Sequence, residues 1–198
     1  MTNDIIRCAW AGNDELYQAY HDHEWGCPVH DDGQLFELLI LEGMQAGLAW
    51  ITILRKRENF RRAFDDFDLD TVTRYDDQKI EELMRDAGII RNRQKINAVI
   101  HNAKLFRKIQ EKYGSFDAFI WAYVDNMPIQ NNWREMSEVP ATTELSNRIS
   151  RDLKKLGFKF VGSTIIYALM QSIGMVNDHV TNCFRHCELG GSAGENEQ

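Results

Sequence analysis

The stretch Leu83-Met-Arg-Asp-Ala-Gly-Ile-Ile-Arg-Asn-Arg-Gln-Lys-Ile96 predicts two helices joined by a tight turn at Gly88. Backbone N–H groups at the start of the second helix have no partner within the helix, so this end favours an anion. Arg91, Arg93 and Lys95 surround that start and add positive charge. The combination suits one phosphate of a nucleic acid backbone, bound without reading its sequence. An ordinary helical hairpin explains the same residues, so their function stays open at this point.

Apolar residues recur at helical spacing on both sides of this hairpin. Helices are predicted over residues 35–42, 49–64, 80–86, 94–113, 116–124, 144–156 and 161–173. The alternation typical of strands is hard to find, so the predicted fold class is mainly α. No linker or internal repeat divides the chain, and we expect a single helical domain of two lobes over residues 1–187. The polar, glycine-containing tail 188–198 is predicted to be disordered.

The composition predicts a cytoplasmic protein with a sizeable core and no membrane span. Among 198 residues 43% are hydrophobic, and no export signal or long apolar run is visible. Four cysteines in such a chain predict reduced thiols or metal ligands rather than disulfides. The net charge of −7 argues mildly against nucleic acid binding. Basic residues nevertheless cluster around 55–62, 91–95 and 148–159. Three such clusters on one face would outweigh the negative net charge. Solvated helix faces are the alternative explanation for each cluster.

His179 and Cys183 indicate a possible metal site, because residues four apart lie on one face of a helix. A tetrahedral ion would need two further ligands. The candidates are Cys8, His21, His23, Cys27, His30, His186 and Cys187. A local site built within residues 21–30 is weaker, because His21 and His23 on a helix would point about 200° apart. A helix end with an ordinary buried cysteine is the alternative to any metal site.

The segment Glu42-Gly-Met-Gln-Ala-Gly-Leu-Ala-Trp50 places a carboxylate and a tryptophan on either side of a break in helical periodicity. Glu42 follows an apolar run, where burial without a partner is costly. A carboxylate buried in this way tends to be functional. A glutamate that simply reaches solvent at a helix end is the alternative.

Six motifs spread in order over residues 6–184 carry a resemblance to a known family. They are Arg7-Cys8-Ala-Trp10, Tyr20-His-Asp-His-Glu-Trp25-Gly, Leu41-Glu-Gly-Met-Gln-Ala-Gly-Leu-Ala-Trp50-Ile, Asp86-Ala-Gly-Ile-Ile-Arg-Asn-Arg, Phe158-Lys-Phe-Val-Gly162 and Val176-Asn-Asp-His179. Together they resemble the 3-methyladenine DNA glycosylase I family of bacteria. The resemblance implies a helix-hairpin-helix DNA glycosylase fold whose N- and C-terminal segments are joined by one structural Zn²⁺. The sequence departs from the wider superfamily in two ways. Ile90-Arg91 stands where a second hairpin glycine is usual, and the catalytic aspartate that broader members carry after the hairpin has no counterpart here.

The resemblance also implies roles for individual residues. The zinc ligands would be Cys8, His21, His179 and Cys183. The base pocket would be formed by Trp10, Tyr17, Tyr20, Trp25, Glu42 and Trp50. In it Tyr20 and Trp50 would lie on the two faces of the base, and Glu42, the catalytic residue, would bond its edge. The DNA contacts would come from Gln45, Gly47, Leu48, Gly88, Arg91, Arg93 and Lys95. His23 and Cys27 would then take no part.

The implied activity is removal of 3-methyladenine from alkylated double-stranded DNA by base flipping, which releases the free base and leaves an abasic site. No lysine is clearly placed as a Schiff-base nucleophile, so we expect a monofunctional enzyme that does not cut the strand. We expect a monomer. A helix-hairpin-helix DNA-binding module without catalysis and a zinc hydrolase are the competing hypotheses. Four protein ligands argue against the hydrolase, because a catalytic zinc keeps an open position.

Overall fold

The computed structural model describes residues 5–190, and within this range the protein is built from ten α-helices and one short pair of strands. The helices are α1 Glu15–His23, α2 Asp32–Gln45, α3 Trp50–Ala63, α4 Leu69–Val72, α5 Asp77–Arg85, α6 Arg93–Tyr113, α7 Phe116–Trp121, α8 Glu144–Leu156, α9 Ser163–Ser172 and α10 Phe184–Gly190. The mainly α class predicted from the sequence is confirmed. None of the helices between residues 5 and 190 is long and apolar enough to cross a membrane.

The predicted helical segments match α2, α3, α5, α6, α8 and α9 to within a few residues, and α8 at both ends. The segment 116–124 divides, because α7 ends at Trp121 and a 3₁₀ turn follows over Ala122–Val124. Helices α1, α4 and α10 are not predicted by the sequence. They are short, and their apolar positions are too few to show a period.

Side-chain caps fix where several helices begin. The Asp14 carboxylate accepts the Tyr17 N–H at 3.0 Å and starts α1. At α8, Thr143 and Ser146 cap one another in both directions. That helix ends at Gly157, whose φ of 102° is left-handed. These local signals explain why both ends of α8 agree with the prediction.

Helix α2 is the centre of the fold and packs against α3, α6, α7 and α9. Its buried face is largely apolar and comprises Leu35, Phe36, Leu39, Ile40, Leu41, Glu42, Gly43 and Met44. Glu42 is therefore the one carboxylate on a face that is otherwise apolar. This position faces α9, which supplies the opposite side of the candidate site.

The hairpin consists of α5 and α6, which pack on one another through the turn at residues 86–92. Gly88 is closely approached there: a Cβ on it would lie 2.8 Å from Asp86 Oδ1 and 3.1 Å from Asn59 Cβ, so a larger residue would displace these side chains. The Gly88 N–H donates to Asp86 Oδ1 at 2.6 Å, and the Asn92 side chain accepts the Lys95 N–H at 3.1 Å. The Lys95 N–H, in the first turn of α6, is one of the groups expected to be free for an anion, and it is already bonded within the hairpin.

The two ends of the described chain meet, because the Phe184 N–H donates to the Ile6 carbonyl at 3.0 Å. Nearby in sequence, strand β2, Val176–Asn177, pairs in parallel with β1, Ile129–Gln130. Helix α10 continues to Gly190, three residues into the predicted tail that starts at 188. An ion pair at 2.8 Å between Arg185 and Glu188 supports its last turns. The rest of the predicted tail, residues 191–198, lies outside the described residues.

Candidate functional site

One cavity of about 190 Å³ gathers all six residues that the resemblance places around a base. They are Trp10, Tyr17, Tyr20, Trp25, Glu42 and Trp50. The lining is completed by Gln45, Met136, Ala168 and Gln171. The aromatic residues come from the N-terminal 60 residues and the remainder from α2, α9 and the 3₁₀ turn at Met136–Glu138, so the cavity lies between elements far apart in sequence.

The aromatic side chains of the pocket contact one another. Trp10 lies 4.9 Å from Tyr17 and 5.0 Å from Trp25 between ring centroids. Tyr20 and Trp50 are 5.5 Å apart and tilted by 47°. A flat ring between them would need about 7 Å, twice a stacking distance of about 3.5 Å. A base could therefore lie between Tyr20 and Trp50 only after one of the two side chains moves, and this arrangement stays a prediction.

Glu42 is the most unusual group in the pocket. Its side chain is 3% exposed, and its Oε2 atom has no hydrogen-bond partner. Burial raises the pKa of Glu42 to about 8, although the Ser172 hydroxyl lowers it in part. Burial therefore favours the protonated acid of Glu42. A cation or an N–H donor at Oε2 would favour the carboxylate.

A second buried polar atom of the pocket lacks a partner. Trp50 Nε1 carries a proton and donates to no acceptor within the described chain. Burial and the nearby Glu42 raise the pKa of Tyr20 well above its usual value, so this wall stays neutral. Two unpaired polar atoms in one aromatic cavity are typical of a ligand site, since buried polar groups elsewhere are nearly always bonded.

A cluster of four buried side chains joins the two ends of the chain near the pocket: Cys8, His21, His179 and Cys183. Their ligand atoms all lie within 4.8 Å of one another. Cys183 Sγ is 3.4 Å from His21 Nε2 and 3.5 Å from His179 Nδ1, and Cys8 Sγ is 3.6 Å from His179 Nδ1. Ligands about 2.0–2.3 Å from a tetrahedral ion lie about 3.3–3.8 Å from each other, so this cluster has the size and donor set for a metal.

The remaining ring nitrogens of both histidines are also bonded. His21 Nδ1 lies 2.8 Å from Asp22 Oδ1, and Arg7 holds that carboxylate with Nη2 2.7 Å from Oδ2. His179 Nε2 lies 3.1 Å from the Trp25 carbonyl. An acceptor beside the outer nitrogen keeps the ring proton on that nitrogen. The inner nitrogen is then unprotonated and presents its lone pair to a metal.

The two thiols of the cluster share charge unequally. Hydrogen bonds from Cys8, His179 and His21 lower the pKa of the Cys183 thiol. The interaction with Cys183, together with burial, raises the pKa of Cys8. The lowered pKa of Cys183 favours the thiolate, which is the form that binds a metal.

The other candidate ligands lie outside this cluster, the only such group within residues 5–190. His23 is exposed, and Cys27 accepts a hydrogen bond from Arg185 at 2.9 Å. His30 pairs with Asp117, and His186 contacts Gln130 and the Asn131 carbonyl. The long-range pairing of the two chain ends is the one that the structure brings together.

The predicted DNA-contacting residues of the hairpin fall into different environments. Arg91 is exposed, with no ion-pair partner in the described chain, while Arg93 pairs with Glu81 at 2.7 Å. Lys95 departs from the prediction. It is 7% exposed, and its Nζ donates to the carbonyls of Met44 and Ala46 at 2.8 Å each. Lys95 therefore holds the end of α2 and is not free for a phosphate.

The loop after α2 presents the remaining predicted DNA contacts. Gly47 has a φ of 81°, a conformation that favours glycine. The Leu48 N–H donates to the Gln45 carbonyl at 2.6 Å, and the Leu48 side chain is 40% exposed. Gln45 itself lines the pocket. The loop thus joins the pocket to the hairpin through Lys95.

The three basic clusters differ in how far they are neutralised. In the first, Arg55, Arg57 and Arg61 pair with acidic side chains at Asp14, Glu24 and Glu37. In the third, Arg148, Arg151, Lys154, Lys155 and Lys159 are all exposed, and among the described residues only Lys155 has an acidic partner, Asp152. The first cluster therefore adds little positive field, and the third adds more.

Sequence reasoning missed Gln171, Met136 and Ala168 in the pocket wall and Asp178 beside it. Asp178 lies inside the quoted motif Val176-Asn-Asp-His179, which was the one available signal. Gln171 lies in α9 and reaches the pocket only because that helix packs on α2. No spacing rule predicts such a contact.

Comparisons of the sequence and of the structure with known proteins all point to one family. The family model described as methyladenine glycosylase matches residues 10–186. DNA-3-methyladenine glycosylase 1 of Escherichia coli (strain K12) is 48% identical over 177 residues, which are 89% of this chain and 95% of that protein. A crystal structure of 3-methyladenine DNA glycosylase I is 46% identical, with a TM-score of 0.88, over 90% of this chain and 98% of that one. A variant of 3-methyladenine DNA glycosylase I, solved in complex with 3-methyladenine, is 36% identical, with a TM-score of 0.87, over 90% of this chain and 96% of that one.

Proposed function

Because the chain belongs to the methyladenine glycosylase family, we propose that it is a DNA repair enzyme that hydrolyses the N-glycosidic bond of 3-methyladenine in alkylated double-stranded DNA. The products are free 3-methyladenine and an abasic site. One observation carries the proposal. The buried Oε2 of Glu42 lacks a partner inside an aromatic pocket.

That pocket matches the chemistry of a methylated purine. An aromatic wall offers π-faces, and a cationic base on such a face gains about 0.5–2 kcal/mol. The exocyclic amine of adenine supplies an N–H donor for Glu42 Oε2. A positively charged base beside Glu42 also favours its carboxylate over the protonated acid. The proposed base lies between Tyr20 and Trp50, whose rings are 5.5 Å apart and would separate to admit it.

The bond to be broken needs little acid catalysis. Adenine methylated at N3 is already cationic while attached to the sugar, and it leaves as a neutral molecule. A general acid for the leaving group, which other glycosidic cleavages require, is then unnecessary. Glu42 binds the base edge and stabilises the positive charge, and the main energetic task becomes extracting the base from the stack.

The loop after α2 and the hairpin are the proposed DNA contacts. Leu48, on the exposed tip of the loop, enters the duplex where the base has left. Gly88 and Arg91 of the hairpin approach a phosphate, and Arg93 contributes if it exchanges its partner Glu81. Helices α5 and α6 form the hairpin of a helix-hairpin-helix glycosylase, and residues 1–187 act as one domain of two lobes.

The cluster of Cys8, His21, His179 and Cys183 is proposed to hold one structural Zn²⁺. Four protein ligands leave no position for water, so the ion would stabilise the fold rather than activate a nucleophile. The residues fit because the two outer histidine nitrogens already have acceptors.

The proposed enzyme is monofunctional. No lysine lines the pocket among residues 5–190, and Lys95 is engaged with two carbonyls. An amine in that state forms no Schiff base with the sugar. A chromosomal substrate supports the cytoplasmic location predicted from the sequence, and a monomer remains the expected state.

The test is chromatography of the free bases released from methylated DNA with and without the protein. We expect release of 3-methyladenine, with 7-methylguanine retained and the strand uncut. A folded, zinc-loaded sample that binds DNA but releases no base would contradict the proposal and favour a DNA-binding module without catalysis.

A further inference from the structure

Asp178 is a fully buried carboxylate whose acceptor positions are all filled. Its Oδ1 accepts from Asn131 Nδ2 at 2.6 Å and from Trp133 Nε1 at 2.8 Å. Its Oδ2 accepts from the Tyr167 hydroxyl and from Gln171 Nε2, both at 2.7 Å. A carboxylate has about four lone-pair sites and accepts only, so it fixes the direction of each donor.

Gln171 is the one donor of this set that also lines the pocket. Since its Nε2 faces Asp178, its Oε1 is the opposite end of the same planar amide. No hydrogen bond between residues of the range 5–190 ends on that oxygen, and it is not among the buried unpaired atoms. The Gln171 carbonyl on the main chain accepts the Gly26 N–H at 3.0 Å, which secures this turn of α9 beside Trp25.

We propose that Asp178 orients the Gln171 amide so that Oε1 faces the pocket as a hydrogen-bond acceptor beside Glu42. Gln171 is then a specificity-determining contact, and Asp178 is a positioning residue. The pocket would offer two acceptors, Glu42 Oε2 and Gln171 Oε1, against one donor, Trp50 Nε1. This pattern selects a flat ligand whose edge carries N–H donors. The inference rests on the proposed function for the identity of that ligand.

For the variant Asp178→Asn we expect a specific rearrangement of the hydrogen bonds around residue 178. Its new NH₂ group must replace Oδ1 or Oδ2. In the Oδ1 position it would face Trp133 Nε1, which can only donate. In the Oδ2 position the Tyr167 hydroxyl can rotate to accept, and the Gln171 amide can flip to accept. The second arrangement is therefore favoured, and it turns the pocket end of Gln171 from an acceptor into a donor.

Exchange of the Gln171 side-chain protons tests the orientation without any ligand. In the parent protein the NH₂ group is bonded to a buried carboxylate, so its NMR signals should exchange slowly with water. Their assignment follows from loss of the signals in Gln171→Met. In Asp178→Asn the same group faces the pocket, and exchange should be about tenfold faster or more. Equal exchange in both proteins would overturn the proposed orientation.

Binding of free 3-methyladenine, measured by titration calorimetry, tests whether Gln171 contacts the ligand. Asp178→Asn and Gln171→Met should each weaken binding about tenfold. Combining them should add little, because both remove the same acceptor. Additive losses, or unchanged binding in Gln171→Met, would overturn the assignment of Gln171.

Tyr167→Phe is the matched control, since it removes the other donor to Asp178 Oδ2 and leaves Gln171 in place. It should lower the melting temperature and leave the affinity for 3-methyladenine unchanged. An equal loss of affinity in this variant would mean that Asp178 acts only through general stability. A parent protein that binds no 3-methyladenine would contradict the proposed function, while the proton exchange would still decide the orientation of Gln171.

Discussion

The pocket and the Cys/His cluster are both buried and both join distant parts of the chain, but they differ in how their polar atoms are paired. In the cluster both outer histidine nitrogens have partners, Asp22 and the Trp25 carbonyl. In the pocket Glu42 Oε2 and Trp50 Nε1 have none. The contact between them is direct, because the Trp25 ring lines the pocket and lies 4.6 Å from the His179 ring.

We expect this difference to separate a group that stabilises the fold from a group that binds a ligand. A buried polar atom without a partner is destabilising by about 1–3 kcal/mol, and a ligand that bonds Glu42 and Trp50 would remove that cost. A fully paired cluster has no such penalty, and with a metal it contributes to folding. The variants below test whether pairing really assigns these roles, from the largest expected effect to the smallest.

Cys183→Ser should have the largest effect on stability. Binding of a structural zinc contributes on the order of 10 kcal/mol in small zinc domains. Loss of one ligand should therefore lower the free energy of unfolding by several kcal/mol and abolish stoichiometric zinc, measured by thermal melting and atomic absorption. Cys187→Ser, an exposed thiol outside the cluster, is the control and should change neither. A stable, zinc-free Cys183→Ser protein would show that the cluster is dispensable.

Glu42→Gln should reverse the usual sign of a core substitution. The pKa of Glu42 is raised from 4.5 to about 8 by burial. Stability from this group is complete below pH 4.5 and is lost as the pH rises toward 8, because the folded state resists ionisation. The Gln variant lacks this loss, so its stability relative to the parent should increase by roughly 2–3 kcal/mol between pH 5 and 7.

The same variant should bind 3-methyladenine at least about tenfold more weakly, since an amide oxygen accepts a hydrogen bond more weakly than a carboxylate does. Denaturant melts at both pH values and calorimetric titrations measure the two effects. A parallel pH profile for parent and variant would mean that Glu42 reaches water.

Lys95→Met should break the link between the hairpin and the pocket loop. It leaves the Met44 and Ala46 carbonyls without their donor, and about 1–3 kcal/mol of stability should be lost. Base release from DNA should fall more than affinity for the free base, because the loop bearing Leu48 loses its position. Equal losses in the two assays would show that Lys95 supports the pocket as a whole.

Arg91→Ala and Arg93→Ala should have the smallest effects. They test directly whether an arginine that has an ion-pair partner contributes less to DNA binding than one that has none. Arg91 lacks an ion-pair partner in the described chain, whereas Arg93 pairs with Glu81. Removing Arg91 should reduce the slope of DNA affinity against salt by about 1. Removing Arg93 should have less effect, because its charge is already balanced. A larger effect at Arg93, measured by fluorescence anisotropy at several salt concentrations, would reverse the assignment.

Much of this architecture could be predicted from the sequence, because the deciding signals are local. Helix α8 is predicted at both ends by its apolar period, and local caps at Thr143 and Gly157 fix the same ends in the structure. The types and spacing of His179 and Cys183 indicate a metal site, and the resemblance adds Cys8 and His21 as their partners through sequence motifs alone. The same motifs identify the aromatic residues and Glu42 as a set.

Only the tertiary structure decided which polar groups have partners. Lys95 is 51 residues from the Met44 carbonyl that it binds, and no spacing rule connects them. Gln171 and Asp178 acquire their roles through the packing of α9 against α2 and of β2 against β1. Tyr20 and Trp50 are 30 residues apart in sequence, and only the packing of α1 on α3 brings their rings into contact. Periodicity and residue type determine helices and candidate ligands, but burial and hydrogen bonding depend on which distant segments meet.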